Sequence, residues 1–175
     1  MYRCSTFYNM KKKLILIILI LLKFSIYVYG QDSLALKTPD EFGKEVLIAF
    51  KTNNFELFKS LLITEADHEL ILNKMKVSDS IKSIYRQQGI GAIKHLNAQA
   101  KQNFDDILNT AKLNNVNWEI TELKEVKFYS KQKDEIERGD IIIYLKSGEI
   151  SFKLILSNCH KNDQWFIMNK VSFTY

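Results

Sequence analysis

The chain has 175 residues, the size of one ordinary domain with an appendage. Two cysteines, one proline and six glycines exclude a disulfide-stapled scaffold and the collagen-like or Pro/Gly-rich disordered classes. The formal charge of +5 is local: Arg3, Lys11, Lys12, Lys13 and Lys23 precede any acid, and removing those five from 25 bases leaves 20 against 20 acids in residues 31–175. A basic footprint on DNA or RNA therefore has no support, and no nucleic-acid partner is expected.

Lys11-Lys12-Lys13 is followed by nine consecutive Leu and Ile residues, Leu14 to Leu22. Lys23 interrupts, and Val28 and Gly30 then stand at the −3 and −1 positions of a cut before Gln31. A positive start, a short apolar run and a small-residue exit describe a secretory signal peptide over residues 1–30. Either Met1 or Met10 can be the true start. The competing reading is an anchor retained through residues 14–29, although a span normally needs about 20 apolar residues. Residues 31–37 read as a short linker and 38–175 as a single α+β domain. The expected location is periplasmic or extracellular, with membrane contact only through the leader during export.

Thr38-Pro39-Asp40-Glu41 reads as a helix start with a capping box, and Phe42, Val46, Ala49 and Phe50 follow at helical spacing. Asn54 opens a short helix with Phe55, Phe58, Leu61 and Leu62 inward. Thr64 opens another, with Asp67 at its third position and Leu70, Ile71 and Met75 inward. Ser78-Asp79 begins a segment with Ile81, Ile84 and Tyr85 on its apolar stripe. Gly89-Ile90-Gly91 is expected to break it before a final helix carrying Ile93, Leu96, Ala100, Phe104 and Ala111.

From Asn117 the period changes to two. Val126 and Phe128 alternate with charged neighbours, and Ile141, Ile143 and Leu145 form a second apolar row. Ser147-Gly148 reads as a hairpin turn, after which Phe152, Leu154 and Leu156 share one face. His160-Lys161-Asn162-Asp163 reads as a second turn. Trp165, Ile167, Val171 and Phe173 make up the apolar set of one last strand, with Trp165 as a core anchor. Helices first and an antiparallel sheet of about four strands afterwards imply an α+β domain, with the helices covering the apolar sheet face.

The leader, the Thr38–Phe42 helix start, the Phe-rich segment Asn54–Leu62, the long helix ending near Trp118 and the terminal hairpin Ile155–Cys159 … Asn162-Asp163-Gln164-Trp165 together resemble exported bacterial proteins of the nuclear-transport-factor-two-like (ketosteroid-isomerase-like, cystatin-like) superfamily. The resemblance covers roughly residues 38–175. It implies a curved, cone-like sheet that can enclose a pocket, used for catalysis in some members and for binding in others. It carries over no catalytic residue, because the superfamily's catalytic sets do not map onto positions here.

The three histidines give no metal pattern: His68 lacks His or carboxylate partners three or four residues on, and a solvated helix start is the simpler reading. His95 is expected on an exposed helix flank. Cys159 and His160 are strand neighbours that point to opposite faces, so a thiol–imidazole pair is not expected and Cys159 reads as a small core residue. Gly89-Ile90-Gly91 lacks the third glycine and the preceding strand of a dinucleotide site. The mixed-sign run Lys131–Arg138 reads as a solvated strand connection. No cofactor, metal or catalytic residue is assigned. The pocket candidates are the amphipathic residues on apolar elements: Tyr85, Trp118, Tyr144, Trp165 and Asn169.

Two functions remain. One is an exported non-catalytic domain that binds a small apolar ligand or a protein partner at the envelope, with a homodimer left open. The other is a small pocket enzyme of the isomerase or dehydratase type, which would need a buried acid or base on the concave face. The export reading makes a direct prediction. Mass spectrometry of the protein recovered outside the cytoplasm should show a chain beginning near Gln31. A mature species that keeps Leu14–Leu22 would contradict cleavage and favour the anchor.

Overall fold

The computed structural model describes residues 38–131 and 136–175, so the leader, its cut and residues 132–135 of the mixed-charge connection lie outside the described residues. Leu36–Tyr175 form one unit. Among the described residues four helices come first: α1 (Pro39–Lys51), α2 (Phe55–Ser60), α3 (Glu65–Lys74) and α4 (Asp79–Leu113). Five strands follow: β1 (Glu122–Ser130), β2 (Arg138–Ser147), β3 (Ile150–Lys161), β4 (Trp165–Ile167) and β5 (Val171–Thr174). The architecture is thus α+β, with helices followed by an antiparallel sheet. Among the described residues no helix is long and apolar enough to cross a membrane.

The helix starts follow from local chemistry. Thr38 Oγ1 accepts from Glu41 N at 3.2 Å while the Glu41 carboxylate accepts from Thr38 N at 3.0 Å, closing the capping box of α1. Thr64 and Asp67 repeat the device at α3. Asn54 Oδ1 accepts from Leu57 N and Ser78 Oγ from Ile81 N, capping α2 and α4. Each cap satisfies a backbone N–H that has no partner inside its own helix.

The sheet order is β1-β2-β3, with β4 and β5 both paired to β3. Cross-strand rows carry the core. Val126, Ile143, Leu154 and Phe173 form one row, and Phe128, Ile141, Leu156 and Val171 form the next. The β2–β3 turn is Gly148-Glu149, with Gly148 at φ 60, a left-handed value that glycine adopts without steric cost. On the covered face Phe50 stacks on Phe104 at 4.8 Å, and Phe58 lies 5.2 Å from Phe104. Trp165 is 1% exposed and packs 4.8 Å from Phe128, as a core anchor should.

Several expectations need correction. The last strand is not continuous. β4 and β5 lie along the same edge of β3, and Met168–Lys170 loops out between them opposite only Ser157 and Asn158. That mismatch of three residues against two is a bulge. Asn158 takes φ 56 there. The freed backbone at Val171 is met by the Asn103 side chain of α4, which donates to Val171 O at 2.8 Å and accepts from Val171 N at 3.1 Å. A side-chain amide thus stands in for a missing strand. β3 also runs on through His160 and Lys161, so the second turn is confined to Asn162–Gln164.

Gly89-Ile90-Gly91 does not break the chain: α4 runs uninterrupted for 35 residues. Each glycine costs about 1 kcal/mol of helix propensity relative to alanine, which tertiary packing readily offsets. Gly89 has a packing reason. A Cβ there would fall 1.9 Å from Nε2 of His68, so the His68 ring can lie against α4 as it does only because the position is bare. Gly91 faces open space. The expected stripe of Ile81, Ile84 and Tyr85 is not buried either; these residues are 40%, 54% and 42% exposed. In α3 the inward residues are His68, Ile71 and Leu72, whereas Leu70 is 51% exposed.

These two glycines should respond oppositely to alanine. Gly91→Ala is expected to stabilise by roughly 0.5–1 kcal/mol through helix propensity. Gly89→Ala should destabilise by about 1–3 kcal/mol, because the added methyl overlaps His68. Urea midpoints of the two variants check this; equal shifts of the same sign would contradict the packing assigned to Gly89.

Candidate functional site

Alternation along β3 and β4 sends Cys159 and Ile167 into the main core. Phe166 points the other way, into a second small cluster with Ile63, Ile71 and Ile93. His160, the strand partner of Phe166, opens onto a cleft beside that cluster. The cleft encloses about 510 Å³. Its walls are Ile71 and Leu72 of α3, Ala92 of α4, and Ile136; its polar groups are His68, Tyr85, Gln88, Arg138 and His160.

His68 stands one turn into α3 and is 8% exposed, packed on bare Gly89. It is therefore not the solvated helix-start residue that the sequence suggested. Burial lowers its pKa; the Glu69 carboxylate opposes this and Arg86 adds to it. Glu69 and Arg86 form a two-pronged pair, with Arg86 Nε donating to Oε2 at 2.8 Å and Nη2 to Oε1 at 2.6 Å. That pair joins α3 to α4 beside the cleft and holds the Glu69 carboxyl below its usual range.

His160 is half-buried at the end of β3, and its Nε2 is a buried atom with no hydrogen-bond partner among the described residues. Burial, helped by the positive charge of Arg138 and by His68, pushes its pKa down to about 4. Arg138 is its cross-strand partner in the β2–β3 register. The nearby acids have other cations: Glu69 has Arg86, Glu137 has Lys161 at 3.1 Å and Asp163 has Lys74 at 3.5 Å. Among the described residues Arg138 makes no ion pair. Cys159, by contrast, is fully buried, its thiol pushed far above the ordinary value by burial, and it stays a core residue.

A second cleft, of about 760 Å³, runs along α4 past His95, Gln99 and Asp106 to Asn169 and Lys170. Its polar groups are partly committed. Gln102 donates to Asp106 at 2.6 Å, and Asn103 holds Val171. Among the described residues no group of three or more His, Cys, Asp or Glu side chains could hold a metal ion.

The five sequence-nominated residues do not converge. Tyr85 reaches the rim of the histidine cleft. Asn169 lines the second cleft. Trp118 stacks on Phe50 at 5.2 Å and lines a separate shallow depression with Lys51 and Lys112. Tyr144 bonds to Tyr129 and lies under Lys127 Nζ at 5.2 Å, away from both clefts. Trp165 is in the core. His68, His160 and Arg138 were missed. The 68, 71, 72, 75 spacing of His68, Ile71, Leu72 and Met75 is a helical stripe and could have revealed the first. Comparison with protein-family models, curated proteins and solved structures returned no match.

The two buried histidines predict acid sensitivity. A histidine that loses proton affinity on folding leaves the unfolded chain binding more protons, so stability rises with pH across the interval between the two pKa values. For His160 that interval runs from 6.5 down to about 4. Roughly 3 kcal/mol should be lost as the pH falls through it, and His68 acts in the same direction. The Glu69 carboxylate weakens the fold only below its ordinary value of 4.5, a separate window. Urea titrations from pH 7 to 4 should show the decline, and His160→Gln should flatten it; a flat wild-type profile would contradict the burial of both rings.

Proposed function

We propose that this chain is an exported, non-catalytic domain that binds a small, largely apolar ligand in the cleft between α3, α4 and the end of β3. The observation that carries the reading is the cleft itself. Hydrocarbon walls from Ile71, Leu72 and Ile136 lie beside His160, whose Nε2 is a buried atom with no partner among the described residues. A buried polar atom without a partner costs free energy, and a ligand that supplies the partner recovers it. The volume lies within the roughly 300–1,000 Å³ of small-molecule sites. Export rests on the leader. The resemblance to nuclear-transport-factor-two-like proteins, with the curved sheet it implies, is part of the same proposal and rests on the sequence.

The second reading, a small pocket enzyme, is favoured by one observation: two imidazoles and Tyr85 share the cleft. Basicity weighs against it. A general base works best with a pKa near the operating pH, and burial takes His160 down to about 4. A group so weakly basic is suited to hydrogen bonding in its neutral form rather than to removing a proton.

The binding reading is checked with a neutral apolar fluorophore, N-phenyl-1-naphthylamine. Saturable one-to-one binding is expected for the wild type. Gln88 is exposed and lines only the histidine cleft of the two, so Gln88→Trp should fill the cleft and abolish the signal without unfolding the chain. Binding undiminished in that variant, or no saturable binding at all, would overturn the assignment.

A further inference from the structure

We infer that the ligand of the histidine cleft is an amphiphile carrying a single carboxylate, held by Arg138 and His160 with its hydrocarbon part against Ile71, Leu72 and Ile136. This rests on the binding reading above and specifies its chemistry.

Three independent features meet at one place. First, Arg138 and His160 are register partners on adjacent strands, so their side chains emerge side by side at the cleft. Second, Arg138 makes no ion pair among the described residues, and Glu69, Glu137 and Asp163 are each paired to another base. A planar guanidinium presents parallel N–H donors that fit the two oxygens of a carboxylate. Third, His160 lines the same cleft and its buried Nε2 has no partner among the described residues, so a turn of the ring lets an N–H there donate to the same group. A neutral alcohol would fill the cavity but leave the guanidinium unmatched. An amine would place a cation against Arg138. A phosphate dianion would meet only one fixed positive charge. The walls behind the polar pair are hydrocarbon, so the rest of the molecule is apolar.

The experiment uses the full mature chain and three probes with one tail: octanoate, octan-1-ol and octan-1-amine, measured by calorimetry at pH 7. Octanoate should bind at least about ten-fold tighter than octan-1-ol, the scale of a hydrogen bond to a charged group, and octan-1-amine should bind most weakly. Arg138 is exposed at the start of β2, and Arg138→Gln should remove the octanoate preference, bringing octanoate to within about two-fold of octan-1-ol in the same variant. Circular dichroism confirms that the variant is folded. Equal affinity for octanoate and octan-1-ol in the wild type would overturn the carboxylate assignment while leaving the apolar cleft standing. Octanoate binding that survives both Arg138→Gln and Gln88→Trp would place it elsewhere and overturn the proposal. Failure of all three probes, together with failure of the naphthylamine, would overturn the binding reading beneath it.

Discussion

A helix of 35 residues is about 52 Å long, whereas the longest strand it accompanies, with 12 residues, spans about 40 Å. The helix cannot be covered along its whole length by the sheet. Its second half buries Ala100, Phe104, Ile107 and Ala111 in the main core, whereas between Asp79 and Gln88 it buries no residue. That overhang explains why Ile81, Ile84 and Tyr85 are exposed despite their helical spacing. It also leaves α3 as the neighbour of the first half, and α3 is short. The space not filled between α3, α4 and the end of β3 is the histidine cleft.

The contact that sets the width of this space is His68 on Gly89. Any side chain at position 89 would displace the His68 ring, and the bidentate Glu69–Arg86 pair fixes the same two helices from the outside. The pair is solvent-exposed, so it aligns the helices more than it stabilises them. The strand side of the cleft depends on a different device, the bulge between β4 and β5. It keeps Cys159 and Ile167 in the main core while His160 and Phe166 face the second cluster. A one-residue slip would exchange these faces and bury the imidazole in hydrocarbon. The polar atoms of the cleft therefore follow from packing that both layers enforce.

Much of the fold was legible because its signals are local. Capping residues Thr38, Asn54, Thr64 and Ser78 marked helix starts through single hydrogen bonds to nearby N–H groups. The period-two rows of β2 and β3 marked the sheet through alternation alone. What was not legible depended on distant partners. Gly89 looked like a break because glycine disfavours helix, and only the imidazole from α3 explains its presence. Ile81 and Ile84 had core-like spacing but no layer to pack against. The last strand looked continuous because its apolar set is continuous; the break arises in its pairing with β3, and Asn103 from α4 caps the outer edge at Val171. Nominating amphipathic aromatics as pocket residues found Tyr85 but passed over His68, His160 and Arg138. Their significance comes from register and burial rather than from any motif.

The account turns on two imidazoles held neutral in one partly dry cleft. The most direct measurement is an NMR titration of the histidine ring resonances of the protein from pH 8 to 4. His160 should remain neutral until the pH approaches about 4, and His68 should titrate below the ordinary 6.5. If both rings titrate near 6.5, they are solvated, the cleft described here does not exist in solution, and the binding site built on it falls with it.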